Sequence, residues 1–208
     1  MSSELRQALA ELPLVAILRG LAPENALAVG QVLVDTGFRI IEVPLNSPRP
    51  FESIGLLAKA FGPRALVGAG TVLRTEDVAR VKDAGGRLIV MPHGDTAIIR
   101  EAKRQGLICT PGVATPTEGF AALATGADGL KLFPTEAMPP AVVKAWRAVF
   151  PPETLLIPVG GITPERMGEY LSAGASGFGL GSALFAPNMA PAVVRERAQA
   201  FVAALGPR

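Results

Sequence analysis

Eight short apolar runs, each followed by a longer amphipathic stretch, constrain this chain more than any other feature. The runs occupy residues 14–18, 40–43, 65–67, 88–91, 107–109, 129–133, 155–159 and 177–180. Their brevity and low polarity suit strands buried on both faces, as parallel strands are. Helical patterns fill the intervals at 23–35, 51–61, 75–84, 95–104, 117–125, 140–149, 163–174 and 190–205. Gly37, Gly85, Gly106, Gly126 and Gly174 recur between a helical stretch and the next run, where a glycine relieves the left-handed residue that ends a helix. This alternation predicts an α/β fold, a single (β/α)8 TIM barrel. Residues 1–208 are expected to form one such domain with a short N-terminal helix, since 208 residues leave no surplus for a second. A doubly wound open sheet is the alternative, because periodicity does not reveal whether a sheet closes.

Composition narrows the function. The net charge is +2 and the basic residues are dispersed, so no electrostatic footprint for nucleic acid is expected. Residues 1–11 carry Glu4, Arg6 and Glu11 and have no apolar segment of secretory type. No apolar stretch approaches the about 20 residues of a membrane span. Cys109 is the sole cysteine, which excludes an intrachain disulfide and fits a reducing compartment. The expectation is a soluble, cytoplasmic protein with no membrane partner. His93 is the only histidine, and no Asp/Glu/His cluster has metal-ligand spacing, so neither a metal nor a cofactor is predicted.

Three of the apolar runs carry a charge where a barrel interior tolerates none without compensation. The first run ends in Arg19, the second holds Glu42 between Ile41 and Val43, and the sixth holds Lys131 between Leu130 and Leu132. All lie at or near the C-terminal ends of their strands, the face that carries active sites in this fold. Desolvation disfavours an ammonium, and a deprotonated lysine is a nucleophile toward carbonyls. The same position also suits a lysine that buries its stem and keeps its head in water. Glu42 suits a general acid/base of raised pKa, or a purely structural partner of Arg19 or Lys131. Arg19 suits a bidentate clamp on a carboxylate or phosphate, or a salt bridge at the barrel mouth.

Glycines crowd the ends of the last two runs, as Val159-Gly160-Gly161 and Gly181-Ser182. Phosphate sites in this fold fall after strands seven and eight, where backbone N–H groups approach the oxygens. Tight turns alone would need the same glycines. Neither cluster has the spacing of a dinucleotide or nucleoside triphosphate loop. Gly68-Ala69-Gly70-Thr71 closes the third run, and Thr110-Pro111-Gly112 closes the fifth in a similar way. Thr71 offers a hydroxyl at the mouth, or only a cap. Pro92 and His93 follow the fourth run; His93 reads as an exposed loop residue that contacts substrate at most. Trp146 falls on an apolar helical face and reads as core or subunit interface.

With these residues in place, the segments LVAILRG (14–20), IEVPL (41–45), GAGTVL (68–73), KLFP (131–134) and VGGITP (159–164) resemble the class I 2-keto-3-deoxy-6-phosphogluconate and 6-phosphogalactonate aldolases, in family order and at family spacing. The resemblance runs from Pro13 to Phe185. It implies that Lys131 forms a Schiff base and that Glu42 shuttles protons through a water. It also implies that Arg19 and Thr71 bind the substrate carboxylate, that Phe133 and Pro134 shape the lysine pocket, and that Gly160, Gly161, Gly181 and Ser182 hold the phosphate. Pro92 and Val159 join the expected substrate-binding residues. The ligands implied are a phosphorylated 2-keto-3-deoxy sugar acid and pyruvate; the assembly implied is a homotrimer. Val159 stands where phosphogluconate-specific members usually carry a threonine, and residues 43–48 also resemble the galactonate branch. The expected reaction is reversible cleavage of 2-dehydro-3-deoxy-6-phosphogalactonate to pyruvate and D-glyceraldehyde 3-phosphate. The gluconate epimer, or both epimers, is the near alternative; a sugar-phosphate epimerase/isomerase and a non-catalytic binder are more distant ones.

Overall fold

The computed structural model describes residues 3–206; residues 1, 2, 207 and 208, which the expected 1–208 domain includes, lie outside the described residues. A short helix, α1 (Ser3–Glu11), leads into β1 (Leu14–Ile17), α2 (Pro23–Asp35), β2 (Ile40–Pro44), α3 (Pro50–Phe61), β3 (Leu66–Gly70), α4 (Thr75–Asp83), β4 (Leu88–Val90) and α5 (Thr96–Arg104). The second half continues as β5 (Ile108–Thr110), β6 (Gly112–Val113), α6 (Pro116–Ala124), β7 (Leu130–Leu132), a 3-10 turn (Thr135–Ala137), α7 (Pro140–Arg147), β8 (Leu156–Pro158), α8 (Pro164–Ser172), β9 (Phe178–Leu180) and α9 (Pro191–Ala203). Among the described residues no helix is long and apolar enough to cross a membrane.

Local chemistry sets these boundaries. Pro23, Pro116 and Pro164 stand in the first turns of their helices, where a missing N–H costs nothing. The Asp95 carboxylate accepts from the Ala97 N–H at 2.7 Å and starts α5. Thr115 and Glu118 form a reciprocal capping box on α6. The five helix-stop glycines all adopt positive φ, from 77° at Gly106 to 103° at Gly126, a region open to glycine and strained for other residues.

All strands pair in parallel, in two sheets. Six form the order β5-β4-β3-β2-β1-β9, and three form β6-β7-β8. This corrects the expectation of a single closed eight-stranded barrel: the arrangement is an open α/β one. The segment that closes the fifth apolar run is the reason. Pro111, which lacks an N–H, separates β5 from β6, so β5 pairs with β4 while β6 pairs with β7. At the other seam an isolated bridge joins Val159, just after β8, to Gly179 of β9, and the Ser176 N–H donates to the Leu156 carbonyl at 2.8 Å. The two sheets nevertheless enclose a common apolar interior. Val15, Ile17, Ile40, Leu66, Leu88 and Ile157 pack there with Leu5 and Leu9 of α1, which covers its N-terminal end. A larger core of Leu, Ile, Val and Phe side chains lies between the strands and the helices; Trp146 belongs to it.

Asp128, 2% exposed, spans the Pro111 seam. Its carboxylate accepts from the Cys109 N–H at 2.9 Å and pairs with Lys103, and its own N–H donates to the Cys109 carbonyl at 2.9 Å. Asp128→Ala leaves a buried N–H unsatisfied. It should lower stability by about 2 kcal/mol, seen as a lower urea midpoint with unchanged m-value.

Candidate active site

The C-terminal ends of the strands open onto a cleft of about 960 Å³ lined by Arg19, Asn46, Lys131, Phe133, Glu136, Val159, Gly160, Gly161, Gly181, Ser182 and Arg197, among others. Below it, a small interior cavity is walled by Ile17, Ile40, Val90, Ile157 and Val159 and holds the side chains of Glu42 and Lys131. Lys131 and Val159 line both spaces.

Lys131 is the central residue of β7, paired with Gly112 on one side and Ile157 on the other. It is 6% exposed, and its Nζ lies 4.7 Å from the centroid of the Phe133 ring. Burial lowers its pKa; the Glu42 carboxylate opposes that shift and Arg19 adds to it. Glu42, at the middle of β2, is 2% exposed. Burial pushes its carboxyl up to about 7, against the pull of the Lys131 and Arg19 cations. Its Oε2 is buried with no hydrogen-bond partner among the described residues. The two groups are thus an amine and a carboxyl whose charged forms are both penalised by the same apolar walls.

Gly70, the last residue of β3, makes room for that carboxyl. A Cβ at this position would lie 1.2 Å from Glu42 Oε2, so the carboxyl occupies the volume that any other residue would fill. The second glycine of the segment that closes β3 therefore houses the Glu42 side chain.

Arg19 follows β1 in a turn and is exposed. Its guanidinium is held toward the β2 and β3 side, donating to Asn46 Oδ1 at 2.8 Å and Thr71 Oγ1 at 3.4 Å. Thr71 has φ +54°, a backbone conformation uncommon outside glycine and asparagine. It reaches the site through Arg19. Phe133, Val159, Gly160, Gly161, Gly181 and Ser182 share the cleft with Lys131. Pro92 does not line it; the backbone of Pro92 packs against Gly112. His93 is exposed. Among the described residues no three His, Cys, Asp or Glu side chains gather in a metal-binding group.

Three cleft residues escaped the sequence reading. Asn46 carries a weak signal, since it follows the IEVPL segment directly. Glu136 sits on the 3-10 turn after β7, with its carboxylate against Gly160 and Gly161. Arg197 comes from α9, far along the chain from any motif, and nothing in the sequence flags it.

The arrangement offers a buried amine, a carboxyl able to gain or lose a proton near neutrality, a fixed guanidinium and a glycine-lined wall. Comparison with known proteins places it. The family of KDPG and KHG aldolases matches residues 5–195. A relative from Rhizobium meliloti (strain 1021), named probable 2-dehydro-3-deoxy-6-phosphogalactonate aldolase, is 48% identical over 93% of this chain and 92% of its own. A solved structure described as native KDPGal superposes with a TM-score of 0.92 at 44% identity, over 94% of this chain and 95% of that one. The KDPG aldolase of Legionella pneumophila, solved with pyruvate captured at low pH as a covalent carbinolamine intermediate, gives a TM-score of 0.84 at 27% identity, over 96% and 98%. A match of this extent to the family, on a chain whose buried Lys131 shares its cavity with the buried Glu42, means that the chain belongs to the KDPG and KHG aldolase family.

Proposed function

We propose that the protein is a Schiff-base aldolase that reversibly cleaves 2-dehydro-3-deoxy-6-phosphogalactonate to pyruvate and D-glyceraldehyde 3-phosphate, with Lys131 as nucleophile and Glu42 as proton carrier. The observation that carries this assignment is the sharing of one apolar cavity by Lys131 and Glu42. Burial lowers the lysine pKa and so favours the neutral amine that attack on a carbonyl requires.

The neutral Lys131 amine adds to the C2 ketone, and the carbinolamine loses water to give a protonated imine. That cation withdraws electrons from C3. As a base takes the C4 hydroxyl proton, the C3–C4 bond breaks, glyceraldehyde 3-phosphate departs and the electron pair rests in a three-carbon enamine. Protonation at C3 and addition of water then release pyruvate and regenerate the amine. Glu42, with a pKa near neutrality, takes the hydroxyl proton and returns one to the enamine, as an efficient acid/base should. Its unpartnered Oε2 is the atom available for that exchange.

Arg19, held by Asn46 and Thr71, clamps the substrate carboxylate, and the glycines at 160, 161 and 181 with Ser182 receive the phosphate. Pro92, outside the cleft wall, acts at most through the Gly112 backbone it packs on. Val159 supports the galactonate branch. It presents no hydroxyl to the cleft, so an epimer recognised by such a hydroxyl gains nothing here. The assembly proposed is a homotrimer and the compartment is the cytoplasm, both on family resemblance.

Borohydride added with pyruvate should leave a reduced pyruvyl adduct on Lys131 that mass spectrometry locates, and Lys131→Met should abolish both adduct and turnover. An epimerase or a simple binder would take no such label. Steady-state rates on the two epimeric substrates should favour the galactonate form; a clear gluconate preference would reverse the branch assignment. Glu42→Gln should lower kcat by about 10²-fold or more.

The same residue governs a pH effect. Its carboxyl titrates near 4.5 when unfolded and at about 7 when folded. The folded state therefore binds the extra proton between these values. The stability it contributes is full below 4.5 and is lost as pH rises through about 7. The Tm of Glu42→Gln relative to the parent should rise between about pH 5 and about pH 8, and a constant difference would refute this.

A further inference from the structure

We propose that Arg197 of α9 is a further substrate-binding residue, the cation that meets the distal phosphate of the substrate; this rests on the aldolase assignment above. A phosphorylated 2-keto acid is anionic at both ends. Arg19 serves one end, because Asn46 and Thr71 hold its guanidinium toward β2 and β3. Lys131 is the reacting amine. The opposite, glycine-lined wall carries an adverse charge: a Cβ at Gly160 would lie 2.2 Å from Glu136 Oε2, so the Glu136 carboxylate stands against the strand end expected to receive phosphate. Backbone N–H groups there act against that field, and a phosphate dianion needs a compensating cation.

Two arginines are near enough to consider. Arg166 is committed elsewhere, with Nη1 donating to the Gly161 carbonyl at 2.6 Å and Nη2 to Tyr170 Oη at 3.3 Å. Arg197 lines the cleft itself. Its Nη1 donates to the Ser182 carbonyl at 3.0 Å and the Ala183 carbonyl at 3.5 Å, and it forms no ion pair among the described residues. Those two contacts fix the guanidinium on the Gly181–Ser182 loop and leave Nε and Nη2 for an anion. A planar fork anchored on one edge and open on the other suits phosphate.

The test compares kcat/KM for the phosphorylated substrate with kcat/KM for the same keto acid without its phosphate, in the parent, Arg197→Met and Arg197→Lys. The ratio should fall by about tenfold or more in Arg197→Met, through KM rather than kcat, and recover in part in Arg197→Lys, which keeps the charge. Inorganic phosphate should inhibit Arg197→Met less strongly than the parent. An unchanged ratio, or equal losses on both substrates, would overturn the proposal and leave Arg197 as a loop clamp only. Borohydride trapping of pyruvate is run on all three proteins. Label in each with an unchanged ratio removes this inference alone, whereas no label in the parent removes the aldolase assignment and this inference with it.

Discussion

Two ionisable groups of opposite sign in one apolar interior set the terms for the rest of this molecule. Neither Lys131 nor Glu42 would be retained there for stability, because removing both from water costs more than their attraction reliably returns. What the pairing supplies is a weaker preference of each group for its charged form. Burial acts against the usual charge of each, and the opposite charge of the partner acts against that shift. The parallel strands contribute the walls: Ile17, Ile40, Val90 and Ile157 line the cavity that Lys131 and Glu42 share. The helices contribute little chemistry and much restraint, with α1 covering the far end of the interior.

Much of this was legible in the chain. A charge inside an apolar run of about five residues has few explanations, which singled out Glu42 and Lys131, while their expected roles came from the family resemblance. The helix-stop glycines were equally readable, since each left-handed turn demands one. What stayed hidden depends on non-local geometry. Closure of a sheet is a matter of which ladder each carbonyl joins, and hydrophobic periodicity is blind to it. Pro111 was in view, yet its effect on pairing shows only when β4 and β7 lie on either side. Asn46, Glu136 and Arg197 reach the cleft from loops or a distant helix. They are ordinary polar residues in sequence and become notable only through what they face.

The division into two sheets bears on the site directly. Glu42 belongs to the larger sheet and Lys131 to the smaller, so their relation is fixed by the contacts across the seams rather than by one continuous ladder. Asp128 bridges the Pro111 seam, and the Val159–Gly179 bridge joins the other. Asp128, which does not line the cleft, therefore helps to hold Lys131 and Glu42 in register.

Gly70 carries a consequence for how the sequence can change over evolutionary time. Because the Glu42 carboxyl fills the space a methyl would need there, neither position is free to drift by itself. A larger residue at 70 must evict the acid, while shortening the acid opens a void beside the amine. Residues 42 and 70 are thus coupled by volume, so a change at either alters the space around the amine.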